Sequence, residues 1–180
     1  MKNVLTFILL IFMVSGVQAQ SFTLKSKVLG GQSTNKEVFN GFGCTGENVS
    51  PQLYWENAPE GSKSFAVTIY DADAPTGSGW WHWLVFDIPP NVMELPTGAG
   101  DPSTGLLPAG IIQSRTDYGA YGYGGPCPPE GHGLHAYTVT VYALKTDKLG
   151  LDKDAVPAVV GYYLNNNVIG KASLVFYHQR

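Results

Sequence analysis

Apolar residues recur at every second position in three long segments, and that alternation predicts half-buried strands of antiparallel sheets. In Ser64–Tyr70 (SFAVTIY), Phe65, Val67 and Ile69 share a face. In His82–Ile88, His82, Leu84, Phe86 and Ile88 do so, and in His135–Leu144 the shared face carries His135, Tyr137, Val139, Val141 and Ala143. Phe22–Lys25, Leu53–Trp55 and Ser173–Tyr177 read as shorter strands. One segment has helical spacing instead. Val156, Val159, Val160 and Tyr163 predict a helix from about Asp154 to Leu164, with Asp152 or Asp154 as its cap and Pro157 tolerated in the first turn.

Glycine (22) and proline (12) are spread along the whole chain, so turns are frequent and helices few. Two stretches rich in these residues, Leu95–Gly110 and Tyr118–Gly133, are expected as surface loops, where binding groups usually sit. No internal repeat, low-complexity segment or domain linker interrupts the pattern.

The phase of three polar residues adds chemistry to this all-β pattern. Counting by twos from Phe65 arrives at Asp71, while His82 and His135 lie in phase with the apolar faces of their own strands. All three are therefore expected to point inward at strand ends. An unpaired buried carboxylate or imidazole is costly, so a sandwich with such residues at one end is expected to have a pocket mouth there. The imidazoles could donate to an anion, and Asp71 could orient an imidazole or receive a ligand ammonium. Gly124 and Gly125 could add backbone donors. A phosphate carrying an ammonium suits that inventory.

Plainer readings exist for each residue. A histidine opening a strand is most often a hydrogen-bonded structural residue, and Asp71 in DADAPTGSG could serve an Asx turn, as Asp73 is expected to do. Trp80, Trp81 and Trp83 are read as packing before ligand stacking. Delivery of polar groups by three separate segments favours the pocket. His132 and His135, with His82 and Asp71, could supply three zinc ligands, but HGLH has loop spacing and no metal is assigned. Ser78 lacks the nucleophile-elbow glycines, and no dinucleotide or phosphate-loop glycine pattern occurs. Arg115 in QSRTDYG is read as a structural ion pair with an acid such as Asp117 in preference to a pocket residue. His178 is read as exposed and idle.

The N-terminus, MKNVLTFILLIFMVSGVQAQS, has one lysine, an apolar run and the small-residue pattern of Val17-Gln18-Ala19, which predicts a secretory signal over residues 1–19 and a domain over residues 20–180. The apolar run is short for a membrane span, and no later stretch approaches the roughly 18 residues required. The product is expected to be periplasmic or secreted. With 11 basic against 14 acidic residues and no basic run, nucleic acid is an unfavoured partner. In an oxidising compartment Cys44 and Cys127 are expected to pair.

Two motifs resemble a known family. Asp71-Ala-Asp-Ala-Pro-Thr-Gly-Ser-Gly-Trp-Trp-His-Trp-Leu-Val and Tyr123-Gly-Gly-Pro-Cys-Pro-Pro-Glu-Gly-His-Gly-Leu-His-Ala-Tyr are similar to the signature regions of the phosphatidylethanolamine-binding proteins, also called Raf kinase inhibitor proteins. Asn48-Val-Ser-Pro51 and the later TDYG agree with the bacterial branch. The resemblance implies a Greek-key β-sandwich with one or two short helices and a small anion pocket at one end. It assigns the ligand to Asp71, His82, Gly125, Pro129, His135 and Tyr137, with His82 and His135 donating to the phosphate and no cofactor.

Three departures limit the transfer: Ala72 replaces a usual proline, Ala136 removes an arginine that would pair with Asp73, and His132 is a local variation. The C-terminal helix of animal relatives is expected to be missing. The leading expectation is a non-enzymatic binding module for a phosphate-type anion or phosphorylethanolamine-like headgroup. The alternatives are a protein-interaction module, such as a protease inhibitor or signalling modulator, and a metal-assisted hydrolase. A homodimer is compatible with bacterial relatives.

Overall fold

The computed structural model describes residues 20–180; the expected signal over residues 1–19 lies outside the described residues. In chain order the elements are β1 (Thr23–Lys25), β2 (Asn40–Gly41), β3 (Cys44–Thr45), β4 (Leu53–Glu56), β5 (Ser64–Asp71), β6 (Trp80–Ile88), β7 (Glu94–Leu95), a short 3₁₀ turn (Pro102–Thr104), β8 (Ile112–Gln113), β9 (His135–Leu144), α1 (Pro157–Asn167) and β10 (Val168–His178). Strands β1-β4-β7 form a small sheet, β10-β9-β5-β6-β8 a five-stranded one, and β2-β3 a hairpin. Every strand pairing is antiparallel. The fold is thus the expected mainly-β antiparallel sandwich.

Two cores explain the architecture. Leu24, Leu53 and Trp55 of the small sheet pack on Phe65, Val67, Ile69, Trp83, Val139 and Val141 of the large one. On the opposite face of the large sheet, Val160 and Leu164 of α1 cover Ala66, Leu84 and Phe86. Central strands β5 and β6 are therefore buried on both faces, not half-buried as alternation suggests.

Strand β6 departs from the expected phase. Val67, Thr68 and Ile69 pair with Val85, Leu84 and Trp83, but Tyr70 and Asp71 pair with Trp81 and Trp80, which leaves His82 as an extra residue in a β-bulge. A second bulge separates Val85 from Ile88, where Asp87 adopts φ 59°. Leu84 and Phe86 consequently face the helix, whereas Trp83, Val85 and Ile88 face the sandwich core. His82 does not share a face with Leu84 and Phe86. The bulge, not simple alternation, turns its ring toward the same side as Asp71 and Tyr137.

The helix also differs from expectation. Its N-cap is Val156, without a side-chain cap bond, and Pro157 opens the helix, where its missing N–H costs nothing. Asp154 instead accepts from Arg115, and Asp152 accepts from the Asp154 amide. The helix runs three residues beyond Leu164 and passes directly into β10, which spans Val168–His178, well beyond the expected Ser173–Tyr177. Among the described residues no helix follows β10. Within the loop Tyr118–Gly133, Gly122–Pro126 is buried, unlike a surface loop.

Candidate functional site

Strands β5 and β9 bring the first polar pair together. Asp71 ends β5 opposite Tyr137, and His135 opens β9 two residues earlier on the same face. The His135 Nδ1–H donates to Asp71 Oδ2 across 2.7 Å, and both side chains are almost wholly buried. The other carboxylate oxygen of Asp71 accepts the Asp73 amide at 2.8 Å, closing the turn after β5. On the outer side of the pair, His135 Nε2 lies 2.8 Å from Nδ1 of exposed His132, so the two rings share a proton. The loop histidine therefore joins the chain Asp71–His135–His132. Among the described residues no group of three or more His, Cys, Asp or Glu side chains is gathered as a cation would require.

His82 approaches from β6 and is 2% exposed. Its backbone and ring are clamped by one residue: the Gly124 amide donates to the His82 carbonyl at 2.8 Å, and the His82 Nδ1–H donates to the Gly124 carbonyl at 2.7 Å. A carbonyl can only accept, which fixes the proton on Nδ1. Burial, only partly opposed by the backbone bonds and by Asp71, lowers the His82 pKa to about 4. At neutral pH its free Nε2 is thus an acceptor, not the donor that the sequence reading assigned.

These residues meet at one cavity. A space of about 170 Å³ is lined by Asp71, His82, Pro129, His135 and Tyr137, together with Phe42, Pro75, Thr76, Trp80, Tyr118 and Cys127. Three of the lining side chains carry buried polar atoms that complete no well-formed hydrogen bond among the described residues: His82 Nε2, Trp80 Nε1, whose neighbour is Tyr118, and the Tyr137 hydroxyl, whose neighbour is Asp71. Burial, followed by the charge of Asp71, pushes the Tyr137 phenol well above its usual range, which keeps it a neutral donor. The same two causes act in that order on Tyr118. Tyr118 stands edge-on to the His82 ring and donates its hydroxyl to the Gly125 carbonyl at 2.8 Å.

Gly125 is placed differently from expectation. Its amide donates to Asn48 Oδ1 at 2.8 Å, and the Gly124 amide is held by His82, so neither faces the cavity as a free donor. A Cβ on Gly125 would stand 1.9 Å from the Glu37 carbonyl oxygen; close backbone approach is what requires glycine there. Of the three tryptophans, Trp83 packs in the sandwich core, Trp81 packs toward the helix, and Trp80 lines the cavity. Arg115 makes an ion pair as expected, although with Asp154 at 3.1 Å and not with Asp117, whose carboxylate accepts the Trp81 amide. His178 Nδ1 is 2.9 Å from Ser33 Oγ, so this ring is engaged and not idle.

Trp80, Tyr118 and Phe42 were missed from the sequence as pocket residues. Trp80 and Tyr118 lie within the recognised motifs, yet nothing in their spacing separates lining from packing. Phe42 reaches the cavity because the Cys44–Cys127 disulfide, with Cα atoms 6.0 Å apart, draws the β2-β3 hairpin against the Pro128-Pro129 segment.

Comparison with known proteins agrees with the antiparallel β fold. The phosphatidylethanolamine-binding protein family model matches residues 30–179. The UPF0098 protein YbcL of Escherichia coli K12 is 48% identical over 176 residues, covering 97% of this chain and 96% of its own. The UPF0098 protein YbhB of the same organism is 45% identical over 147 residues, covering 81% and 90%. The crystal structure of E. coli YbcL, described as a new member of the mammalian PEBP family, superposes with a TM-score of 0.86 at 49% identity and covers 88% of this chain and 98% of that one.

Proposed function

The chain belongs to the phosphatidylethanolamine-binding protein family, and on that premise we propose that it is an exported, non-enzymatic binding module whose cavity takes a phosphate-type anion or a phosphorylethanolamine-like headgroup. One observation carries this reading: three buried polar atoms that complete no well-formed hydrogen bond among the described residues, His82 Nε2, Trp80 Nε1 and the Tyr137 hydroxyl, line a single small cavity. Buried polar groups in folded proteins are nearly always paired, so such a cluster is a strong sign that a polar ligand completes it. A volume of about 170 Å³ suits a tetrahedral anion with a short substituent.

Each residue then has a role. Trp80 and Tyr137 donate to ligand oxygens, His82 supplies an acceptor, and Asp71 holds His135 in one orientation. Pro129 and Phe42 form the lip. Gly125 supports the wall through Tyr118 and Asn48. Export is supported by the leader pattern of residues 1–19 and by the Cys44–Cys127 bond, which suits an oxidising compartment. N-terminal sequencing of protein recovered from the periplasm should begin at Gln20.

Titration with phosphorylethanolamine at pH 6, followed through the imidazole NMR signals, tests the pocket. Saturable movement of the His82 resonances at millimolar ligand or below is expected. Trp80→Phe and Tyr137→Phe should each weaken binding about tenfold, because each removes a donor to a charged group. No movement at millimolar ligand refutes the reading.

A further inference from the structure

Resting on that reading, we propose that the cavity selects tetrahedral oxyanions that still carry a proton, so that a monoprotonated phosphomonoester binds and a fully deprotonated oxyanion does not. The geometry of His82 leads to this. Its Nδ1–H is committed to the Gly124 carbonyl, and the Gly124 amide is itself held by the His82 carbonyl, so Gly124 is fixed beside the ring and a ring flip would forfeit the Nδ1 bond. The remaining nitrogen, Nε2, is buried, unpartnered and on the cavity wall. A neutral imidazole with its proton on Nδ1 offers only a lone pair there. Whatever sits against it must donate.

The charge of the cavity points the same way. Among the described residues no lysine or arginine lines it, and its one carboxylate, Asp71, is hydrogen-bonded to His135. The groups facing His82 are Asp71 at the end of β5, His135 and Tyr137 on β9, Tyr118 and Gly124 of the long loop, and Trp80 on β6 itself. His132 stands behind His135. Asp73 is engaged with the Ala136 amide, and the Arg180 guanidinium stands beside Cys44 and Cys127. A dianion would thus enter a site with two neutral donors, one lone pair and a carboxylate already paired with His135. A monoanion bearing one O–H satisfies the lone pair with its proton and the two donors with its other oxygens.

Proton affinities decide where that proton sits. A phosphomonoester loses its second proton at about pH 6, whereas burial lowers the His82 pKa to about 4. In the complex the proton stays on the ligand and is donated to Nε2. A sulfate ester of the same shape has no such proton, so it would have to charge the buried ring instead.

Calorimetric titrations of the wild-type protein with phosphorylethanolamine and with ethanolamine O-sulfate separate proton from charge, because about one unit or more below the second ionisation near pH 6 both esters are monoanions and only one has an O–H. Phosphorylethanolamine should bind at least tenfold more tightly than the sulfate ester in that range. Its affinity should fall roughly fifty-fold from pH 6 to pH 8, following the monoanion fraction set by a second ionisation near 6. His82→Gln, whose amide can donate, should narrow the gap between the two esters and flatten the pH dependence, with retained thermal unfolding showing that it folds. Equal affinity for the two esters, or pH-independent binding of phosphorylethanolamine, overturns proton selection and leaves anion binding standing. Failure of both esters and of inorganic phosphate to bind at pH 6 overturns the pocket assignment, and this inference with it.

Discussion

The Nδ1–H of His135 and Oδ2 of Asp71 are 2.7 Å apart in a site where both side chains are nearly inaccessible to water. The pair joins the ends of neighbouring strands and so fixes the geometry of the cavity floor. Removing one partner strands the other. Asp71→Ala should cost about 3 to 5 kcal/mol in urea unfolding, the usual penalty for breaking a buried pair. Asp71→Asn should cost less, because an amide oxygen can still accept from His135. Loss of the downfield Nδ1 proton signal of His135 in the alanine variant checks the assignment.

His82 predicts an acid sensitivity of the fold. Its pKa lies near 6.5 in the unfolded chain and at about 4 in the folded one, chiefly through burial. The folded state therefore favours the neutral ring. The associated stability is fully present above pH 6.5 and is lost as pH falls toward 4, by about 3 kcal/mol in all. Urea midpoints measured between pH 4 and 7 should show this slope, and His82→Gln should remove most of it.

The disulfide should matter both for stability and for the lip. Cys44 and Cys127 are 83 residues apart. Closing a loop of that length stabilises the fold by about 4 to 5 kcal/mol in the chain-entropy picture. A Cys44→Ser, Cys127→Ser double variant should lose roughly 2 to 5 kcal/mol. Because Phe42 and Cys127 both border the cavity, phosphorylethanolamine affinity should fall as well. Unfolding with and without reductant gives the first number, and calorimetry the second.

Much of this was legible in residue order. The faces Phe65-Val67-Ile69-Asp71 and His135-Tyr137-Val139-Val141 are formed as their alternation predicts, since both strands pair regularly with each other. The meeting of Asp71 with His135 follows from that register. His82 reached the cavity for a different reason. Its expected phase put it with Leu84 and Phe86, which face the helix, and a bulge corrects the direction. A bulge adds one residue without any apolar signature, so periodicity cannot locate it. Gly125 shows a related limit. The motif marks it as important, but only the 1.9 Å approach of a hypothetical Cβ to the Glu37 carbonyl shows that its role is packing. The pocket contacts of Phe42 were equally hidden, because a disulfide between distant segments creates them.

Asp87 is where the second of these phase shifts can be tested. Its backbone sits at φ 59°, and its Oδ1 accepts the buried Leu149 amide at 2.8 Å. Burial raises its carboxyl above the ordinary range, ahead of the opposing Leu149 bond and the charge of Lys148, so ionisation of this side chain is disfavoured by the fold. A folded pKa above the unfolded one means stability rises as pH falls through it. Asparagine tolerates a positive φ, keeps an oxygen toward Leu149 and carries no charge. Asp87→Asn should therefore change stability by less than about 1 kcal/mol at pH 7 and remove this part of the pH dependence. Alanine has neither the acceptor nor the conformational tolerance. Asp87→Ala should lose about 2 to 4 kcal/mol, combining an unsatisfied buried amide with left-handed backbone strain. If the two variants prove equally stable in urea, the carboxylate does not hold the bulge, and the placement of Ile88 in the sandwich core must come from packing alone.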